Sequence, residues 1–229
     1  MSDAKRAAGE AAAALAENGM RLGLGTGSTT AYAIEALGRR VREDGLRVVG
    51  TPTSFAAERL ARQHGIPLRT LDELEALDLA LDGADEVDPA LDLIKGRGAA
   101  HTREKVVAAQ AARFVVLADP SKLVARLGTA KPVPVEVLPM AAAPVRRALE
   151  RLGARPVLRM GTAKDGPVVT DQGFWILDAH FEGGIDDPPA LGRAIKMLPG
   201  VLDHGLFLGM ASAVLIGRDD GTVDRRARA

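Results

Sequence analysis

The chain contains no cysteine. Disulfides, thiolate nucleophiles, zinc–thiolate sites and iron–sulfur clusters are excluded together, and the expected location is cytoplasmic. Aromatic residues make up only 3% of the sequence. That is too few for the stacking platforms that grip single-stranded nucleic acid, or for an aromatic-lined carbohydrate groove. Neither charge is in excess, because thirty Lys and Arg balance thirty Asp and Glu. Proteins that hold nucleic acid by neutralising phosphates carry a basic surplus, so no nucleic-acid partner is expected. Long apolar runs are missing as well. The longest, around Leu206–Gly217, is broken by glycines and falls short of the ~20 residues of a membrane span, so no membrane partner is expected. Met1–Gly9, with Asp3, Lys5 and Arg6, shows no apolar secretory segment.

What is present is material for a core. A hydrophobic fraction of 47% over 229 residues argues against disorder and allows a sizeable interior. In the first half, helix-prone and strand-like segments alternate. Residues 3–18 are alanine-rich and helix-prone, Met20–Gly25 reads as a strand, and a helix follows to about Val41. Leu46–Gly50, Leu77–Leu81 and Phe114–Ala118 read as further strands, with helices over Ser54–Gln63 and Thr102–Ala112. This alternation predicts an α/β fold with a Rossmann-like parallel, doubly wound sheet.

The pattern changes after Gly128. Val133–Leu138, Arg155–Met160, Gly173–Asp178 and Val201–Leu208 read as strands. Val145, Ala148, Leu149 and Leu152 mark one amphipathic helix, and Leu191, Ala194, Ile195 and Leu198 mark another. The order β-α-β-β-α-β predicts a smaller ferredoxin-like α+β domain over residues 129–208, inserted before the last strand. Ala213–Gly217 is expected to return to the first sheet, so the larger domain spans 1–128 plus 209–229, and the basic tail Asp224–Ala229 is expected to fray.

Three stretches carry residues suited to chemistry. In Gly23-Leu24-Gly25-Thr26-Gly27-Ser28-Thr29-Thr30, glycines and a helix N-terminus could present backbone N–H groups to a phosphate. Ser28 replaces the third glycine of a dinucleotide fingerprint, and no Gly-Lys pair makes a Walker loop. The pattern alone leaves phosphate binding and a plain capped turn both open. Asp82-Gly83-Ala84-Asp85-Glu86-Val87-Asp88 follows an apolar strand, at the end where α/β sheets gather ligands. An EF-hand is excluded, because Val87 and Leu93 stand at the sixth and twelfth positions. The bland reading is a solvated acidic turn. Lys95-Gly96-Arg97-Gly98-Ala99-Ala100-His101 runs into a helix with Glu104 in its first turn. Glu104 there is either a favourable charge at a helix start or a carboxylate base beside a lysine. Lys122 follows another strand and is a surface cation or a further ligand. The four histidines lack zinc spacing, so no metal is expected.

These motifs, in this order, closely resemble the type A ribose-5-phosphate isomerases. The resemblance rests on Gly25-Thr26-Gly27-Ser28-Thr29, Asp82-Gly83-Ala84-Asp85-Glu86, Ile94-Lys95-Gly96-x-Gly98-Ala99-Ala100 and Thr102-Arg103-Glu104-Lys105. Pro134-Val135-Glu136-Val137-Leu138-Pro139-Met140 and Pro199-Gly200-Val201 extend it over nearly the whole chain. It implies reversible conversion of D-ribose 5-phosphate to D-ribulose 5-phosphate in the pentose phosphate pathway, without a cofactor or metal, by a homodimer or homotetramer. It also implies Glu104 as the base, Asp82 and Asp85 as contacts to the sugar hydroxyls that assist ring opening, and Lys95 as the stabiliser of the enediolate. Thr26, Gly27, Ser28, Thr29, Gly83, Ala84, Gly96, Arg97, Gly98 and Lys122 would bind the substrate. Spacing alone leaves open an exchange of roles between Asp82 and Glu104. Two positions depart from the family pattern. Arg97 stands where a glycine is expected, which questions the loop geometry, and His101 stands where an apolar residue is expected. A coenzyme A transferase-like enzyme and a non-catalytic sugar-phosphate sensor are the alternatives. The second lacks room for a helix-turn-helix in residues 1–20.

Overall fold

Alanine builds the first helix, α1 (Asp3–Ala13), which buries Ala4, Ala8, Ala12 and Ala13 along one stripe. It ends earlier than the expected residue 18, because turns at residues 14–19 close on Gly19 at positive φ. The structure is a computed structural model and describes residues 3–228. Met1, Ser2 and Ala229, which belong to the leader and tail readings above, lie outside the described residues.

The chain continues through β1 (Arg21–Leu24), α2 (Ser28–Glu43), β2 (Val49–Pro52), α3 (Phe55–Gln63) and β3 (Leu77–Gly83). Two short strands, β4 (Glu86–Val87) and β5 (Leu93–Ile94), precede α4 (His101–Ala109) and β6 (Ala111–Ala118). Then come β7 (Val133–Val137), α5 (Ala142–Arg151), β8 (Arg155–Leu158), β9 (Trp175–His180) and α6 (Pro188–Lys196). The chain closes with β10 (Val201–His204), β11 (Leu206–Phe207), β12 (Ala213–Gly217) and β13 (Val223–Ala227).

Two compact units result, one of residues 3–84, 103–122 and 210–228, the other of 85–102 and 123–209. The sequence pattern keeps 85–102 and 123–128 with the larger unit. In the structure they cluster with the second, where β4 and β5 pair with each other and β5 pairs with β11.

The first unit holds a six-stranded sheet in the order β13-β12-β6-β3-β1-β2, parallel apart from β13. Ala213–Gly217 does return to this sheet, beside β6. The tail does not fray as expected. Val223–Ala227 pairs antiparallel with β12, and its charged side chains face solvent on the sheet edge, as suits an edge strand. Leu22, Leu24, Leu37, Leu79, Leu81 and Leu117 lie at the centre of the core. Strand order reverses between β1 and β3, because β2 continues on one side and β3 starts the other. The carboxyl ends of β1 and β3 therefore flank a topological switch point, the usual ligand position in such sheets.

The second unit holds an antiparallel sheet in the order β10-β7-β9-β8, crossed by α5 and α6, as the β-α-β-β-α-β reading requires. Val133, Val135, Val137, Leu149, Leu177 and Ile195 fill its core. The expected single strand Val201–Leu208 is two strands in two sheets. Gly205 divides them. Its N–H donates to the Pro134 carbonyl at 2.7 Å, and its carbonyl accepts from Lys95 N–H at 2.9 Å. A Cβ there would lie 2.2 Å from the Lys95 carbonyl oxygen.

Candidate active site

In the first unit, Asp82 ends an apolar strand and is 3% exposed. Its Oδ1 accepts N–H bonds from Thr26 at 3.0 Å and Gly83 at 2.7 Å. The carboxylate comes this close because residue 25 has no side chain. A Cβ on Gly25 would lie 2.3 Å from Asp82 Cγ. Gly27 sits at φ 121° and precedes α2 with no side-chain cap, so the Ser28–Thr30 end of this sixteen-residue helix keeps its N–H-rich terminus. Of the two readings left open for this turn, the plain side-chain-capped one does not form. Ser28 is exposed and accepts from the Lys5 ammonium at 3.1 Å, while Thr29 is buried. Thr30 Oγ1 is buried with no hydrogen-bond partner among the described residues.

Thr26 is engaged through its hydroxyl. It lies 2.8 Å from Thr53 Oγ1 and donates to Ser54 Oγ at 2.6 Å. Ser54 in turn caps α3 by accepting from Ala57 N–H. Glu104 is 5% exposed in the first turn of α4. Val107, one turn later on the same face, packs on Gly23 of β1, where a Cβ would lie 2.5 Å from its Cγ1. Gly83 and Ala84 are half-buried at the end of β3. Lys122 is half-buried in a one-turn 3-10 helix after β6, behind Asp119, whose Oδ1 accepts from the Ser121 N–H and hydroxyl.

In the second unit, Asp85 Oδ2 accepts the Arg97 N–H at 2.9 Å. Lys95 is 2% exposed, with its ammonium 5.4 Å from the centre of the Phe207 ring. Gly96 is buried at φ 110°, and a Cβ there would lie 2.7 Å from His101 Nδ1. Gly98 is exposed. Positive φ in this loop falls on Gly96 and Ala99, not on Arg97, so arginine meets no backbone strain. The Arg97 side chain points outward at 75% exposure. His101 is fully buried and lies 3.4 Å from the Asp203 carbonyl oxygen.

The acidic stretch is neither a solvated turn nor a cation cage. Glu86 is fully buried and accepts N–H bonds from Gly128, Ala130 and Lys131, each at 2.6 Å. Asp88 accepts from Asp92 N–H. No group of three His, Asp or Glu placed to hold a metal occurs among the described residues, and no helix among them is long and apolar enough to cross a membrane. The partnerships of Lys5, Thr53, Ser54 and Glu86 are not visible in the sequence, since each spans a long stretch of chain. Glu136 is buried and accepts from the Thr102 hydroxyl. Burial pushes its carboxyl above the usual range, against the Thr102 and Thr170 hydrogen bonds, with Asp203 and Asp171 nearby adding to the rise.

A glycine-built turn and a buried carboxylate at the switch point of a doubly wound sheet mark the first unit as that of an α/β enzyme. The comparisons with known proteins specify which. The family described as ribose 5-phosphate isomerase A (phosphoriboisomerase A) matches residues 49–221. The ribose-5-phosphate isomerase A of Thermosynechococcus vestitus is 58% identical over 214 residues, 93% of this chain and 90% of that protein. That of Methanosarcina acetivorans is 53% identical over 222 residues, covering 97% and 93%. Among solved structures, the enzyme of Methanocaldococcus jannaschii is 48% identical with a TM-score of 0.93, covering 97% of both chains. A D-ribose-5-phosphate isomerase in complex with phospho-erythronic acid is 46% identical with a TM-score of 0.95, covering 98% and 97%. The chain belongs to the ribose 5-phosphate isomerase A family and is an isomerase.

Proposed function

We propose that the protein interconverts D-ribose 5-phosphate and D-ribulose 5-phosphate in the pentose phosphate pathway by proton transfer through an enediolate. The carrying observation is full-length likeness, at 46% identity, to an isomerase solved with phospho-erythronic acid. A phosphorylated sugar acid pairs a planar carboxylate with a phosphate, so it resembles a planar enediolate intermediate more than either sugar.

Each residue takes a role suited to its surroundings. Glu104 removes the C2 proton of the open-chain aldose. The C2–H electron pair forms the C1–C2 double bond, and negative charge moves onto the C1 oxygen. A proton passes from the C2 hydroxyl to the C1 oxygen, and Glu104 returns its own proton to C1, which leaves a carbonyl at C2. Its burial in the first turn of α4 keeps bulk water from the base. Lys95 stabilises the charge that develops on oxygen. Asp82, oriented by two N–H donors, and Asp85 hold sugar hydroxyls and assist ring opening. The N–H-rich start of α2, with Ser28, Thr29 and the adjacent Lys5, takes the phosphate. Binding of that non-reacting group orients the reacting carbons. Gly83, Ala84, Gly96–Gly98 and Lys122 complete the substrate contacts.

The test is direct. The purified protein should produce ribulose 5-phosphate from ribose 5-phosphate. Glu104→Gln should fold and bind substrate but lose about 10²–10⁴-fold in turnover, the usual worth of a general base. Turnover within tenfold of wild type would remove Glu104 from that role.

A further inference from the structure

Arg159 follows β8 in the second unit, and its guanidinium is spent on four hydrogen bonds. Nε donates to Asp178 Oδ2 at 2.8 Å, and Nη2 donates to the other oxygen of the same carboxylate. Nη1 donates to the carbonyl oxygens of Gly96 and Arg97, both at 2.9 Å. The pair is largely buried, with side-chain exposures of 16% and 17%. The backbone behind the arginine is fixed as well, since its N–H donates to the Ile176 carbonyl and its carbonyl accepts from Val168.

This arrangement addresses the Lys95–Gly98 loop. The loop is gripped on opposite groups, two carbonyls by Arg159 and one N–H by Asp85. Gly96, at φ 110°, adopts a backbone conformation that an L side chain resists. Asp178 neutralises the guanidinium, so the group adds little attraction for an anionic ligand. What it supplies is geometry, because a planar fork fixes direction where a lysine supplies only a point charge.

We infer that Arg159 is a positioning residue of the isomerase, acting through the carbonyls of Gly96 and Arg97 to hold the loop that carries Lys95. Asp178 is its anchor. The inference rests on the proposed reading of Lys95–Gly98 as a substrate loop, and its test separates the two.

The full chain is compared with Arg159→Lys, which keeps the charge opposite Asp178 and loses the fork. Hydrogen exchange at residues 96–99 should quicken about tenfold, while β7 amides stay unchanged. KM for ribose 5-phosphate should rise about tenfold with kcat within threefold, the scale of one lost hydrogen bond from a charged group. A merely structural role would lower Tm and leave both readings alone. If the lysine variant fails to fold, Asp178→Asn serves, with smaller shifts in the same direction. Unchanged loop exchange overturns the inference, as does faster exchange with KM and kcat both within twofold of wild type. If the wild type itself does not convert ribose 5-phosphate, the functional reading falls, and loop exchange still decides whether Arg159 holds the loop.

Discussion

The two glycine-rich loops, Gly25–Ser28 in the first unit and Lys95–Gly98 in the second, are held in different ways. The first is shaped by its own glycines, with the Thr26 hydroxyl tied to Thr53 and Ser54 besides. Gly25 lets Asp82 approach, two N–H groups orient that carboxylate, and Gly27 turns the chain into a helix whose start has no side-chain cap. The second is held by side chains from elsewhere. Asp85 takes its N–H, Arg159 takes two carbonyls, and His101 packs behind Gly96. A loop made from its own glycines has little tolerance at those glycines. A loop held by distant side chains tolerates local change and is sensitive to its supports.

The largest effect expected from this contrast is at Gly25. In Gly25→Ala the new methyl would overlap the Asp82 carboxylate, since 2.3 Å is far inside contact distance. Either Asp82 or the β1–α2 turn must move, and a shift of about 1 Å at a reacting group costs on the order of 10² in rate. We expect turnover to fall by at least that factor while the protein still folds. Steady-state kinetics beside a thermal melt will check it. Near-normal turnover would show that the first loop is as adaptable as the second.

A middle-sized effect concerns the helix that follows the second loop. His101 and Thr102 start α4, and Thr102 donates its hydroxyl to the buried Glu136. Because burial raises the Glu136 carboxyl above its usual range, folding favours its protonated form. Its contribution to stability is complete below the unfolded value, near pH 4.5, and is lost as pH rises through the folded value. Glu136→Gln does not titrate. Its Tm relative to wild type should therefore climb as pH rises from 4.5 and then level off. A difference independent of pH would mean that folding does not raise the Glu136 carboxyl.

The same contrast decides what could be read without coordinates. The β1–α2 turn was legible because its glycines, the strand before it and the helix after it are neighbours in sequence. The six-stranded sheet was legible for a similar reason, since long apolar strands alternate with long helices. Asp82 was legible as a site residue, but the two N–H donors that orient it were not. The supports of the second loop were hidden, because Arg159 acts across 62 and 63 residues and Glu86 across 42 to 45. No spacing rule spans such distances. β4 and β5 were missed because two residues carry no period, and β11 was read as the continuation of β10. Glu86 illustrates the limit best. In sequence it is one of four acids in a polar turn, yet the fold buries it fully under three N–H donors.

The smallest effect expected is at Arg97, where the family pattern has glycine. If the second loop is held through its backbone by Asp85 and Arg159, the side chain at 97 is dispensable. Its backbone φ is negative, so glycine is not required, and its guanidinium is mostly in solvent, 4.0 Å from Asp85 at the nearest ion-pair distance. At that distance, with the arginine in solvent, the pair contributes little. In Arg97→Gly both carbonyl bonds from Arg159 and the N–H bond to Asp85 can persist, since none uses the side chain. The added freedom of glycine in the unfolded chain should cost about 0.4–1 kcal/mol of stability, with kcat/KM within threefold of wild type. A collapse of turnover in a folded variant would place the Arg97 guanidinium on the substrate.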